Sequence, residues 1–125
     1  MAGSAAVLVV EDDSQINELV GAYVEIAGFT YRSACDGATA LAAVRERLPA
    51  LIILDLMLPD TDGFEIARQL KSDERTARIP ILMLTALDRE EQRARGMAAG
   101  AVEYLTKPFD PDQLIDAIRR NALAR

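Results

Sequence analysis

The chain contains no histidine. That removes phosphohistidine chemistry on its own side chains, most zinc sites and every histidine-based triad in one step. Its single cysteine, Cys35, cannot form an internal disulfide, so a reducing cytoplasm is the expected setting. No apolar run approaches the roughly 20 residues a membrane span needs, and the N-terminus lacks a charged-then-apolar leader. Cations are the minority, 14 Lys and Arg against 20 Asp and Glu. The net charge of −6 argues against direct nucleic-acid binding, because nothing could displace phosphate counterions over a wide surface. A nucleotide-binding P-loop is missing. Three acids stand after the first strand, where a flavin phosphate would need a run of Ser, Thr and Gly.

What is there is ordinary globular material: 125 residues, half of them hydrophobic and 27% charged. That length makes one domain able to bury roughly two-thirds of its unfolded surface without a disulfide or structural metal. Strand and helix alternate five times. Ala6–Val10 reads as a buried strand, and Ile16, Leu19, Val20, Tyr23, Val24 and Ile26 recur at helical spacing up to a stop at Gly28. Thr30–Ala34 is a short second strand. Ala40, Leu41, Val44 and Leu48 mark a second helix closed by Pro49. After the strand ending at Leu54 comes a helix from about Gly63 using Phe64, Ile66, Ala67 and Leu70; 72–78 is the longest connection. Ile81–Thr85 is the fourth strand. Asp88 with Glu91 suggests a capping box for a fourth helix that stops near Gly100. Val102–Thr106 is the fifth strand, and Asp110, Pro111 and Gln113 open a last helix through Leu114, Ile115, Ile118 and Leu123.

Strands apolar throughout, each followed by a helix, predict a parallel sheet covered on both faces. Ligands of such sheets sit outside the carboxyl ends of the strands, where the winding reverses. Four strand ends here carry polar groups: Glu11, Asp12 and Asp13 after the first, Asp55 after Leu51-Ile52-Ile53-Leu54, Thr85 at the end of the fourth, and Lys107 after the fifth. Taken singly, each has an ordinary reading. A strand-end Asp caps a turn, acids favour a helix N-terminus, Thr is a β-former, Lys is a solvated charge, and Tyr104 is a core aromatic with a wet hydroxyl. Their conjunction on one edge points instead to a composite site. Three close carboxylates repel, and a hard divalent cation removes the conflict. A carboxylate can also take up a phosphoryl group covalently.

Val9-Val10-Glu11-Asp12-Asp13, Leu54-Asp55-Leu56-Met57-Leu58-Pro59-Asp60-Thr61-Asp62-Gly63, Leu84-Thr85-Ala86 and Tyr104-Leu105-Thr106-Lys107-Pro108-Phe109 together resemble the receiver domain of two-component response regulators. The resemblance spans essentially the whole chain. It implies an α/β, flavodoxin-like (βα)5 fold with strand order 2-1-3-4-5, and one receiver domain over 1–125 (core about 6–124) with no effector domain. It makes Asp55 the phosphoryl acceptor, Asp12 a direct Mg²⁺ ligand, Glu11 a ligand through water and Met57 a ligand through its backbone carbonyl, with Mn²⁺ as an alternative ion. Thr85 and Lys107 would bind phosphoryl oxygens, with Lys107-Pro108 in cis, and Tyr104 would be the switch aromatic, turning into space that Thr85 vacates. The implied donor is a sensor histidine kinase or histidine phosphotransfer protein. The output is an unidentified protein target reading the fourth helix, fifth strand and last helix, from a monomer or a weak phosphorylation-dependent dimer. The implied activity is self-catalysed phosphotransfer and autodephosphorylation rather than enzymatic turnover.

Some positions depart from the pattern. Val102 stands where many relatives carry an acid. Gln113 and Ala117 stand where the dimerising transcription-factor subclass has Glu and Arg, which tells against that dimer and against a winged-helix partner. The 71–78 segment is closer to stand-alone receivers, or to those joined to sensor kinases and cyclic-nucleotide enzymes. Two rival classes remain: a pseudo-receiver that keeps only the fold, and a Mg²⁺-dependent phosphohydrolase with an aspartyl nucleophile. The second needs a further acid, and Asp60 and Asp62, beside Pro59 and Gly63, read as turn formers.

Overall fold

A computed structural model describes residues 5–122. Ten elements alternate: β1 (Ala6–Val10), α1 (Ser14–Ile26), β2 (Thr30–Ala34), α2 (Gly37–Glu46), β3 (Leu51–Leu54), α3 (Gly63–Ser72), β4 (Ile81–Thr85), α4 (Glu90–Ala98), β5 (Glu103–Thr106) and α5 (Pro111–Ala122). The strands form one parallel sheet in the order β2-β1-β3-β4-β5, as expected. Leu123 lies outside the described residues.

Period-two alternation along the buried strands builds two cores. Leu8, Val10, Ile52 and Leu54 face α2 and α3 through Ala40, Val44, Ile66, Ala67 and Leu70. Val7, Val9, Leu51 and Ile53 face α1 and α5 through Val20, Val24, Leu114, Ala117 and Ile118. This two-sided burial is why β3 and β4 carry no exposed residue. Gly28 and Gly100 end α1 and α4 with φ of +102° and +109°, the left-handed region that glycine tolerates. Among the described residues no helix is long and apolar enough to cross a membrane.

The structure departs from the sequence reading at several edges. Leu19 and Ile26 are exposed on α1 rather than inward. Leu48 lies beyond α2 and is exposed; the Arg32 guanidinium donates to the carbonyls of Ala43 and Arg47 at that helix end. Val102 is exposed just outside β5. The α4 cap is Arg89, not Asp88: the Gln92 side chain accepts the Arg89 N–H at 3.2 Å. The shift follows from Leu87, whose N–H and carbonyl are both engaged inward, so the chain is free to turn only after Asp88.

Candidate functional site at the carboxyl edge

Register places the site. Val10 pairs with Leu54 and Thr85 with Thr106, so the residues next in line, Glu11, Asp55 and Lys107, emerge side by side. The ladder runs one step past the strands. The Asp55 N–H donates to the Val10 carbonyl, the Glu11 N–H to Ala34 and the Lys107 N–H to Thr85. This edge lies where the winding reverses between β1 and β3.

Glu11, Asp12 and Asp55 each offer a carboxylate oxygen within 4.8 Å of the others. Glu11 and Asp55 are buried and Asp12 is exposed. The Lys107 ammonium donates to Asp55 Oδ2 at 2.8 Å and also to Glu11 Oε1. Asp55 Oδ1 accepts the Met57 N–H at 3.1 Å, and Glu11 Oε2 accepts the Asp13 N–H at 3.1 Å. The Lys107-Pro108 peptide is cis, as expected. Burial pushes Glu11 above the usual carboxylate range; Lys107 pulls it back and the Asp55 charge adds to the rise. Burial works against the Lys107 charge, but its hydrogen bonds to Asp55 and Glu11 outweigh that and raise it. The Lys107 direction follows from one cation facing two anions, while the Glu11 direction follows first from burial.

Charge counting then tests the fit of a metal. Two carboxylates at such separations repel by roughly 3–4 kcal/mol in a surface-like dielectric. Three acids against one ammonium leave two negative charges uncompensated. An all-oxygen, doubly underserved cluster suits a hard divalent cation rather than a soft one. The Met57 contact with this cluster runs through its N–H, and Met57 also pairs with Asp62 across an isolated antiparallel bridge.

Thr85 is fully buried, and its hydroxyl accepts the Leu87 N–H at 3.3 Å. Tyr104 is also buried, with its hydroxyl donating to the Leu87 carbonyl at 2.5 Å and the Arg93 guanidinium 4.9 Å from its ring centre. Burial raises the Tyr104 hydroxyl above its ordinary pKa; Arg93 opposes the rise and the Asp55 and Asp88 charges add to it. The ring is therefore already inside, rather than waiting for space that Thr85 would vacate. Its hydroxyl ties down the β4–α4 loop through the Leu87 carbonyl.

Sequence reasoning missed the contacts of three residues. Leu87 joins Thr85 to Tyr104 through its own peptide groups, and only the fold reveals that. Asn17, buried on α1, donates to the carbonyls of Val9, Glu11 and Ala34; a polar residue at a core-facing helical position was the available signal. Asp60 is more than a turn former, since its carboxylate accepts the N–H groups of Gly37 and Ala38 at 2.8 and 3.0 Å. Those bonds hold it below its ordinary pKa, which makes it a poor general acid. Asp62 caps α3 through the Glu65 N–H. Both acids thus have structural employment, which weakens the phosphohydrolase rival.

A family model described as response regulator receiver domain matches residues 7–119. The chain is 44% identical over 113 residues to the DNA-binding dual master transcriptional regulator RpaA of Synechocystis sp., covering 90% of this chain and 47% of that protein. It is 42% identical over 113 residues to the phosphate regulon transcriptional regulatory protein PhoB of Pseudomonas aeruginosa, covering 90% and 49%. The chain thus spans about half the length of these relatives. Among solved structures, a putative response regulator from Chloroflexus aurantiacus superposes with a TM-score of 0.91 at 35% identity, over 98% of this chain and 100% of that one. The relatives include transcriptional regulators, the class that Gln113 and Ala117 told against. Those two positions alone do not separate this chain from them.

Proposed function

The chain belongs to the response regulator receiver family, and from that premise we propose that Asp55 is the residue through which it takes up a phosphoryl group. Receivers are signalling switches of two-component systems. The observation that carries the residue assignment is the position of Asp55. It is buried beside the Lys107 ammonium at 2.8 Å, in a cluster with Glu11 and Asp12, whereas Asp60 and Asp62 are occupied with helix N-termini.

A carboxylate oxygen of Asp55 forms the new O–P bond as the P–N bond of a donor phosphohistidine breaks, and the bonding pair leaves with the donor imidazole. Lys107 places its charge where phosphoryl oxygens gather, and Glu11 holds that ammonium from the other side. Mg²⁺ or Mn²⁺ held by Glu11, Asp12 and Asp55, with the Met57 carbonyl as a further donor, would neutralise charge on the transferring group. Water later cleaves the acyl phosphate and resets the chain, so this is a switch that catalyses its own modification rather than an enzyme with turnover.

The donor is a sensor histidine kinase or a phosphotransfer protein. An apolar groove of about 450 Å³ lined by Ile16, Leu19, Tyr23, Lys107, Pro108 and Phe109 offers the donor a contact surface on the Lys107 side of the site. Output runs through Leu87. A phosphoryl group that draws the Thr85 hydroxyl takes away the acceptor of the Leu87 N–H, and Tyr104, bonded to the same residue, passes the shift to the surface of α4, β5 and α5. A protein target reads that surface, with the chain as a monomer or a weak phosphorylation-dependent dimer. Residues 1–125 act in this as one receiver module in a reducing cytoplasm, without touching nucleic acid themselves.

Incubation with Mg²⁺ and a small phosphodonor, followed by intact mass, tests the assignment. One phosphoryl adduct is expected on wild type and none on Asp55→Asn. No adduct on wild type, or an undiminished one on the variant, defeats it.

A further inference from the structure

We propose that Asn17 and Tyr31 are positioning residues that hold Glu11 in the acid cluster and thereby set its affinity for a divalent cation. The inference rests on the receiver reading and adds to it a pair of residues outside the cluster.

Glu11 is a buried carboxylate whose charge burial disfavours. Its carboxylate is held by the Lys107 ammonium and the Asp13 N–H, and its backbone, from which that side chain projects, is held as well. The Glu11 N–H donates to the Ala34 carbonyl of β2, and the Glu11 carbonyl accepts from Asn17 Nδ2 at 2.9 Å. The same amide reaches the carbonyls of Ala34 at 3.2 Å and Val9 at 3.3 Å, so a single side chain from α1 ties the ends of β1 and β2 together. Asn17 is 5% exposed. Its orientation is fixed from the far side, because the Tyr31 hydroxyl donates to Asn17 Oδ1 and so settles which end of the amide faces the carbonyls.

Tyr31 can reach that point only because Gly21 leaves room. A Cβ at Gly21 would stand 2.4 Å from the Tyr31 ring. Two elements therefore spend three residues, a helical glycine, a buried asparagine and a tyrosine from the edge strand, on one purpose. A core that needed only volume would use an aliphatic residue here. An amide at this point adds donors aimed at the peptide of a candidate cation ligand, and partners one shell out commonly govern metal affinity.

Calorimetric titration of the full chain with MgCl₂ tests the pair, with thermal melts in EDTA to verify folding. Asn17→Ala should weaken Mg²⁺ binding roughly tenfold. Tyr31→Phe, which keeps the ring over Gly21 and should fold in any case, should weaken it roughly threefold. In metal-free protein both should speed hydrogen exchange at the Glu11 amide while leaving that of Ile53 unchanged. If Asn17→Ala does not fold, Tyr31→Phe decides. A wild type that takes up no Mg²⁺ overturns this inference together with the cation site. A wild type that binds, with Tyr31→Phe within twofold of it and Glu11 exchange unaltered, overturns this one alone and leaves Asn17 a core contact.

Discussion

Asp60 shows how a carboxylate acquires a role from what lies opposite it. Five residues past Asp55, it reaches across to the first two amides of α2, where the partial positive charge of the helix end favours an anion. Its pKa in the fold lies below the ordinary 3.8. The sign is therefore that of a depressed acid: the stabilisation is fully present above the unfolded value and is lost as pH falls through the folded one. Wild type should be more stable than Asp60→Asn at pH 6, with the gap closing as pH drops below about 4. Paired urea melts at pH 6 and pH 3 measure this, and a gap independent of pH would remove the charged contact. Glu11, by contrast, is raised by burial, so two acids on neighbouring loops are tuned in opposite directions by burial and amide donors.

At the scale of elements, acids at strand ends divide into caps and site groups. Asp13, Asp36 and Asp62 accept N–H groups at the starts of α1, α2 and α3, while Glu11, Asp12 and Asp55 cluster. In sequence the two kinds look alike. What separates Glu11 and Asp55 from the caps is position relative to the last laddered residue: both still donate their N–H groups to a neighbouring strand, and the caps come after the chain has turned. Asp62→Ala should cost about 1 kcal/mol of stability and Asp62→Ser much less. Chemical denaturation reads both, and equal losses would mean that the cap hydrogen bond contributes nothing. The phosphoryl adduct should form on either variant, since Asp62 serves α3.

At the scale of the whole molecule, the acid cluster opposes folding until it is neutralised. Three clustered carboxylates, of which one ammonium pairs with only Glu11 and Asp55, repel in the native state and separate in the unfolded chain. A cation that binds only the native state stabilises by mass action, about 2.7 kcal/mol at a hundred times its Kd. Mg²⁺ should therefore raise the melting temperature of wild type, while Asp12→Asn should melt higher than wild type in EDTA and respond weakly to Mg²⁺. Differential scanning in the two buffers checks both signs. An Asp12→Asn chain that is less stable in EDTA would show that Asp12 is already compensated.

The sequence alone was enough for the alternation of elements, the parallel sheet and the polar groups at its carboxyl edge. Buried strands, helical periodicity and turn residues are local signals, and each is legible within a few residues. The resemblance in those same motifs carried the strand order and the cis peptide that the structure bears out. Only the tertiary structure decided that Lys107 divides itself between two acids, that Leu87 joins Thr85 to Tyr104, that Asn17 ties the ends of β1 and β2 together, and that Asp60 caps α2 from the loop before α3. Each of those facts is a contact between residues distant in the chain. Hydrogen-bond geometry depends on register and on burial from both faces of the sheet, and no stretch of sequence read by itself contains either.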